Sequence, residues 1–245
     1  MPFTFVHPIA IIPIYKLSKK KLDIVALAIG SVSPDFEYFI RFRLKSDYSH
    51  DLILGILFNL PIAIIIYLIS KSKITEIILK HTTQKCHTLY SNIEYKNKWV
   101  VFLSIILGMY THILWDTLTH FNPFTANNFT LLSKQINFGD SQVNVYRILQ
   151  HLSNLLGATV GSYLFYKKIM GIETQNNSDT CARKKILYWT IVVVIISTIL
   201  LLNYLLNQYF NSIGNIVVIV ISSLLISLTF TSVIFLIPFL LKNKL

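Results

Sequence analysis

Tyr110-Thr111-His112-Ile113-Leu114-Trp115-Asp116-Thr117-Leu118-Thr119-His120 closes an apolar run that begins at Trp99. That run is as long as one bilayer crossing, because a hydrocarbon core of ~30 Å takes about 20 apolar residues as helix. His112, Asp116 and His120 recur at i, i+4 and i+8, so on a helix they stack along one face. The stretch is therefore both a transmembrane helix and the carrier of polar groups at one of its ends. A carboxylate inside a span is costly and points to function. Imidazoles and a carboxylate from consecutive turns can converge on one cation, as in zinc sites. The alternative is an interfacial polar stripe near a helix end that Pro123 helps to terminate.

The rest of the chain has the same character. Of 245 residues 53% are hydrophobic and only 13% charged, far from a soluble balance. Asp51 to Ser70, Ile186 to Asn207 and Ile213 to Leu241 are further spans, and His151 to Tyr166 is a shorter, weaker one. The expected fold is all-α, a polytopic transmembrane helical bundle. Residues 1–170 form a helical membrane domain carrying the polar cluster, 171–185 a polar basic loop, and 186–245 a two-span anchor. The formal charge of +11 sits on lysines that flank spans, which sets topology and argues against a nucleic-acid partner. Cys86 and Cys181 have neither disulfide-type nor metal-type spacing. The start of the chain has no basic n-region and no small-residue cleavage site, so it does not read as a signal peptide.

If the spans alternate, His50, the trio His112, Asp116 and His120, and His151 all fall at boundaries on one side of the bilayer. The opposite side holds Lys71, Lys73, Lys80, Lys85, Lys96 and Lys98 in one loop and Lys167, Lys168, Arg183, Lys184 and Lys185 in another. By the positive-inside rule the cluster faces away from the cytoplasm, in a multi-pass protein of the cytoplasmic membrane. Whether Leu22 to Ile40 also crosses is left open, since Pro34 interrupts it.

Other residues can join the cluster. Ser33-Pro34-Asp35-Phe36-Glu37 fits an ordinary helix start, with Ser as N-cap, Pro at the first position and acids in the first turn. Tyr48-Ser49-His50-Asp51 stands at the mouth of a span and His7-Pro8 opens the first apolar run; a lone histidine of either kind is most simply an interfacial hydrogen-bonding residue. Together with the helical trio they make a set with few other roles. His151 stands evenly between a ligand or substrate contact and a helix-start residue, and His81 and His87 lie across the membrane.

The opening Met-Pro-Phe-Thr-Phe-Val-His-Pro, the segment Gly30 to Phe39, Tyr48-Ser49-His50, Thr111 to His120 and Tyr146 to His151 resemble a bacterial integral-membrane family known only as a domain of unknown function, DUF family 4184. The resemblance covers nearly the whole chain and names no reaction. More distantly, an early histidine, a Pro-Asp, a Ser/Thr-His and a His-x-x-x-Asp in an apolar helix are similar to membrane-bound metal-dependent hydrolases and to the zinc-dependent phospholipase C group. Carried over, that likeness implies Asp35, His50, His112 and Asp116 around a first metal, with His7 and Asp116 at a second. It gives Asp35 or Glu37 the task of orienting or deprotonating water. The chain departs from the phospholipase pattern at Leu155 and at its first residue, and from the membrane hydrolases at Lys45, so a three-zinc site is not implied.

The expectation is thus a membrane-embedded hydrolase of an ester or phosphoester. It binds one or two divalent ions, zinc favoured, through His7, Asp35, His50, His112 and Asp116, with Asp35 and Glu37 catalytic and His120 and His151 as further contacts. A site at the bilayer interface suits a lipid-linked substrate. The rival is a non-enzymatic membrane protein, a metal-binding sensor or carrier or a structural component whose polar residues hold helices together.

Overall fold

Small residues decide where the helices meet. In a computed structural model, residues 6–51, 53–120, 128–138, 141–173, 181–206 and 209–242 are described; the opening Met1–Phe5 and the expected helix stop at Pro123 lie outside them. The main helices are α1 (His7–Leu17), α2 (Ile24–Val32), a 3-10 turn (Ser33–Asp35), α3 (Phe36–Arg41), α4 (Leu54–Ser70), α5 (Lys73–His81), α6 (Gln84–Ser91), α7 (Lys98–Thr119), α8 (Val145–Met170), α9 (Ala182–Leu206) and α10 (Ile213–Lys242), with single turns at Thr130–Ser133 and Tyr209–Asn211. Strands among the described residues are confined to one antiparallel hairpin, Gln135–Phe138 with Ser141–Asn144. The architecture is the all-α helical bundle that the apolar runs predict.

Among the described residues, three helices are long and apolar enough to cross a membrane: α7, α9, and α10 over Ile213–Pro238. In α9 only 17% of the apolar window is buried within the protein, so most of its surface is suited to lipid. The span expected over Asp51 to Ser70 is a helix of 17 residues that bends by 59° into α5, where Ser72 caps the new helix through Ile74 N. The weaker span expected over His151 to Tyr166 lies inside α8, which is long enough but too polar to join the three. Over Leu22 to Ile40 no single helix is long enough to cross: α2 has nine residues, about 14 Å of helix, and Pro34 stands in the turn that ends it.

The chain divides into two compact units. The first comprises Met1–Phe36, Asp47–Ile64 and Tyr95–Tyr166. Its centre is the parallel pair α2 and α7. Asp23 caps α2 by accepting from Ala26 N, and its own N–H donates to Ser104 Oγ (3.0 Å). One turn on, a Cβ at Gly108 would overlap the Leu27 carbonyl, and one at Gly30 the Ile105 carbonyl, so the two backbones touch. A further turn on, His112 meets the Ser31 carbonyl. The register that pairs 23 with 104 and 31 with 112 next brings Asp35 opposite Asp116.

The second unit comprises Glu37–Ser46, Ile65–Glu94 and Lys167–Leu245. Here α5 packs on α9 and α10. Tyr188 stacks on His81 at 4.4 Å and its hydroxyl meets Ser232 Oγ (2.9 Å), while Trp189 Nε1 donates to the His81 carbonyl (2.9 Å). Buried Ser222 and Ser223 of α10 donate back to their own helix, to Val218 O and Ile219 O, which leaves their face small and close-packing.

Candidate metal centre

Five side chains from four places in the first unit meet where α2 and α7 end. His7 comes from the start of α1, Asp35 from the 3-10 turn, His50 from the loop before α4, and His112 and Asp116 from the last turns of α7. His112 is fully buried, and its Nδ1 donates to the Ser31 carbonyl (2.8 Å). That bond fixes the tautomer and turns the Nε2 lone pair into the cluster. His50 is held in the same manner, with Nδ1 against Ser49 Oγ (3.0 Å), while Asn59 Nδ2 of α4 donates to the Ser49 carbonyl (2.6 Å).

The distances between these groups have one chemical signature. His112 Nε2 lies 3.3 Å from Asp116 Oδ2 and 3.7 Å from Asp35 Oδ1; His50 Nε2 lies 3.5 Å from Asp116 Oδ2 and 3.6 Å from Asp35 Oδ1; His7 Nε2 lies 3.7 Å from Asp116 Oδ1. All are longer than a good hydrogen bond. They match the separation of ~3.4 Å that two ligands take when each is about 2.1 Å from one tetrahedral ion. Both nitrogens of buried His7, Nε2 of His112 and Oδ1 of Asp116 have no hydrogen-bond partner among the described residues. Buried polar atoms are normally satisfied, so this group of lone pairs is chemically suited to a non-protein ligand. Two overlapping triads, His7/Asp35/His112 and His50/His112/Asp116, each have their ligand atoms within 4.8 Å of one another.

The imidazoles are electrically unlike. Burial works against a charged His50, but the carboxylates of Asp116 and Asp35 outweigh it and hold its pKa up at about 9. For His7, burial and then the His112 ring stacked on it at 3.8 Å push the pKa down to about 4. His120 is lowered, first by burial.

Of the remaining candidates, His120 sits beside the cluster, with Nδ1 3.6 Å from Asp116 Oδ1. Gln150, which no sequence motif singles out, is buried at the start of α8 and its Nε2 meets His120 Nε2 at 2.8 Å. Its neighbour His151 is exposed and outside both triads. Glu37 belongs to the second unit, where its buried carboxylate accepts from Arg41 Nε (2.9 Å) and pairs with the same guanidinium at 2.7 Å. The N-cap expected at Ser33 does not form: its hydroxyl donates back to the Gly30 carbonyl (2.8 Å) and caps no following amide.

The family described as a domain of unknown function, DUF4184, matches residues 1–233. The chain belongs to DUF4184. The match spans both units, including every residue of the cluster. No curated protein and no solved structure matches this DUF4184 chain.

Proposed function

We propose that the cluster holds a single divalent ion, zinc favoured, and that the protein is a membrane-embedded hydrolase of an ester or phosphoester. What carries the proposal is the pair of overlapping triads among these five side chains, each with its ligand atoms within 4.8 Å of one another, together with buried lone pairs on His7, His112 and Asp116 that no other described protein group uses. One ion fits better than two. Both triads need His112, whose Nδ1 is spent on Ser31, so its single remaining lone pair serves one ion at a time. Imidazole with carboxylate suits zinc, and manganese or iron would accept the same donors.

Such an ion acidifies water and polarises the bond under attack. The chain's own groups would do the rest. Asp35, across from Asp116, accepts the proton of the attacking water; Glu37 is less suited because Arg41 already occupies its carboxylate. Asp35 then returns that proton to the departing oxygen, while His120, positioned by Gln150, is a further contact for the substrate. Water adds across the ester or phosphoester bond, giving an alcohol and an acid.

The test is metal content of the full chain purified in detergent from a metal-replete preparation. Wild type is expected to carry about one equivalent. Asp116→Asn keeps the shape but removes a charge that offsets the ion's own, and His112→Ala removes the shared lone pair, so both lose the metal while remaining folded. Unchanged metal in both variants, or none in wild type, leaves a structural role for the polar cluster.

A further inference from the structure

Beside the cluster, α1, α7 and α8 enclose a cleft of about 480 Å³, in the ~300–1,000 Å³ range of small-molecule sites. His7 belongs to the cleft and to the cluster at once. The walls are apolar: Ala10 and Pro13 of α1, Trp115 and Leu118 of α7, Leu152 and Leu156 of α8. Two hydroxyls reach the lining and both are committed to backbone, Thr119 Oγ1 to the Trp115 carbonyl (3.0 Å) and Ser153 Oγ to the Gln150 carbonyl (2.9 Å). An occupant is therefore hydrocarbon along the cleft and polar only at the His7 end, because a buried polar group without a partner is costly. The cleft also runs into the outer apolar surface: Leu152, Leu156 and Val160 of its α8 wall are each more than 40% exposed. A hydrocarbon chain can slide in from the bilayer without entering water.

We infer that this cleft takes the tail of a membrane lipid whose ester or phosphoester head lies at the cluster, so that the substrate is a lipid delivered sideways from the membrane. The inference rests on the metal-centre proposal for the position of the head, and on the cleft alone for the tail.

The probe is a series of terminally brominated alkyl hydroxamates of increasing length, whose oxygens ligate zinc whatever the natural head group is. Bromine quenches tryptophan at contact. Replacing Trp99 and Trp189 by Phe leaves Trp115, in the cleft wall, as the one reporter. With zinc-loaded protein in nanodiscs, quenching is expected to saturate and, at equal concentration in the bilayer, to increase with chain length until the cleft is filled. Ala10→Phe and, independently, Ser153→Leu fill the cleft; each should abolish that length dependence while leaving metal content unchanged. Bromoalkyl alcohols, which lack the ligating head, should bind the zinc-loaded protein more weakly than the hydroxamates do. Length dependence no greater in wild type than in the two filled variants, or quenching that only follows partition into the lipid, overturns the cleft. Zinc-independent binding that keeps its length dependence overturns the metal-centre proposal and leaves the tail in the cleft.

Discussion

At the scale of single residues, two imidazoles of the cluster titrate in opposite senses, and this gives the metal-free protein a characteristic pH profile. His50 has a folded pKa of about 9 against an ordinary 6.5. Its contribution to stability is fully present below about 6.5 and is lost as the pH rises through 9. His7 has a folded pKa of about 4, so its contribution is present above 6.5 and is lost as the pH falls through 4. The two together favour greatest stability of the metal-free protein near pH 6.5. Metal requires both rings deprotonated, so the stabilisation that zinc adds grows with pH. Thermal unfolding of chelator-treated protein between pH 6.5 and 9 should show Tm falling, and His50→Gln should flatten that limb; added zinc should reverse its slope. A limb identical in wild type and His50→Gln would remove His50 from this role.

At the scale of elements, the site depends on how closely α2 and α7 approach. A Cβ at Gly108 would meet the Leu27 carbonyl and the Ser31 amide nitrogen, both backbone, which cannot rotate away. Gly108→Ala is therefore expected to cost ~1–3 kcal/mol as overpacking, and to carry Ser31 and Asp35 away from His112. Gly161→Ala on α8 is the control: its Cβ meets Ile9 Cδ1 at 2.7 Å, the far end of a flexible side chain. A lower Tm with loss of metal in Gly108→Ala, and a milder change with metal kept in Gly161→Ala, is the expected pair of outcomes. Equal metal in both would separate the helix crossing from the site. The same crossing divides what is legible in the sequence from what is not. The turn-spaced trio on α7 is legible because helical period alone aligns His112, Asp116 and His120, and a carboxylate in an apolar run is too costly to be incidental. His7, Asp35 and His50 stand out by residue type and by their place at span boundaries, but their meeting depends on Gly30 and Gly108 letting two backbones touch. No local period encodes that contact. Gln150 is illegible for a related reason: an amide at a helix start resembles any polar residue until its turn places it on His120.

At the scale of the whole molecule, the charge pattern makes a testable statement about which side of the membrane the cluster faces. α7 ends in the cluster, and its opposite end begins at Lys98 after a segment carrying Lys71, Lys73, Lys80, Lys85 and Lys96. Lys167, Lys168, Arg183, Lys184 and Lys185 border the end of α8 and the start of α9. The stretch between α7 and α8 holds Lys134 as its single Lys or Arg. Cytoplasmic loops carry the excess of Lys and Arg, so the orientation we propose has the lysine-rich segments inside and the cluster outside. Cys86 lies in α6 and Cys181 directly precedes α9, both within the lysine-rich segments, and each is a free thiol. They are built-in reporters of one face. Lys134 is exposed at the start of the hairpin and can report the other as Lys134→Cys. In intact cells a membrane-impermeant thiol reagent should modify Lys134→Cys in a Cys86→Ser/Cys181→Ser background, and should leave the native pair unmodified until the membrane is permeabilised. Labelling of the native pair in intact cells, with Lys134→Cys protected, would invert the topology and put the cluster on the cytoplasmic side. A lipid substrate would then be drawn from the inner leaflet, with the same cleft and the same ligands serving it.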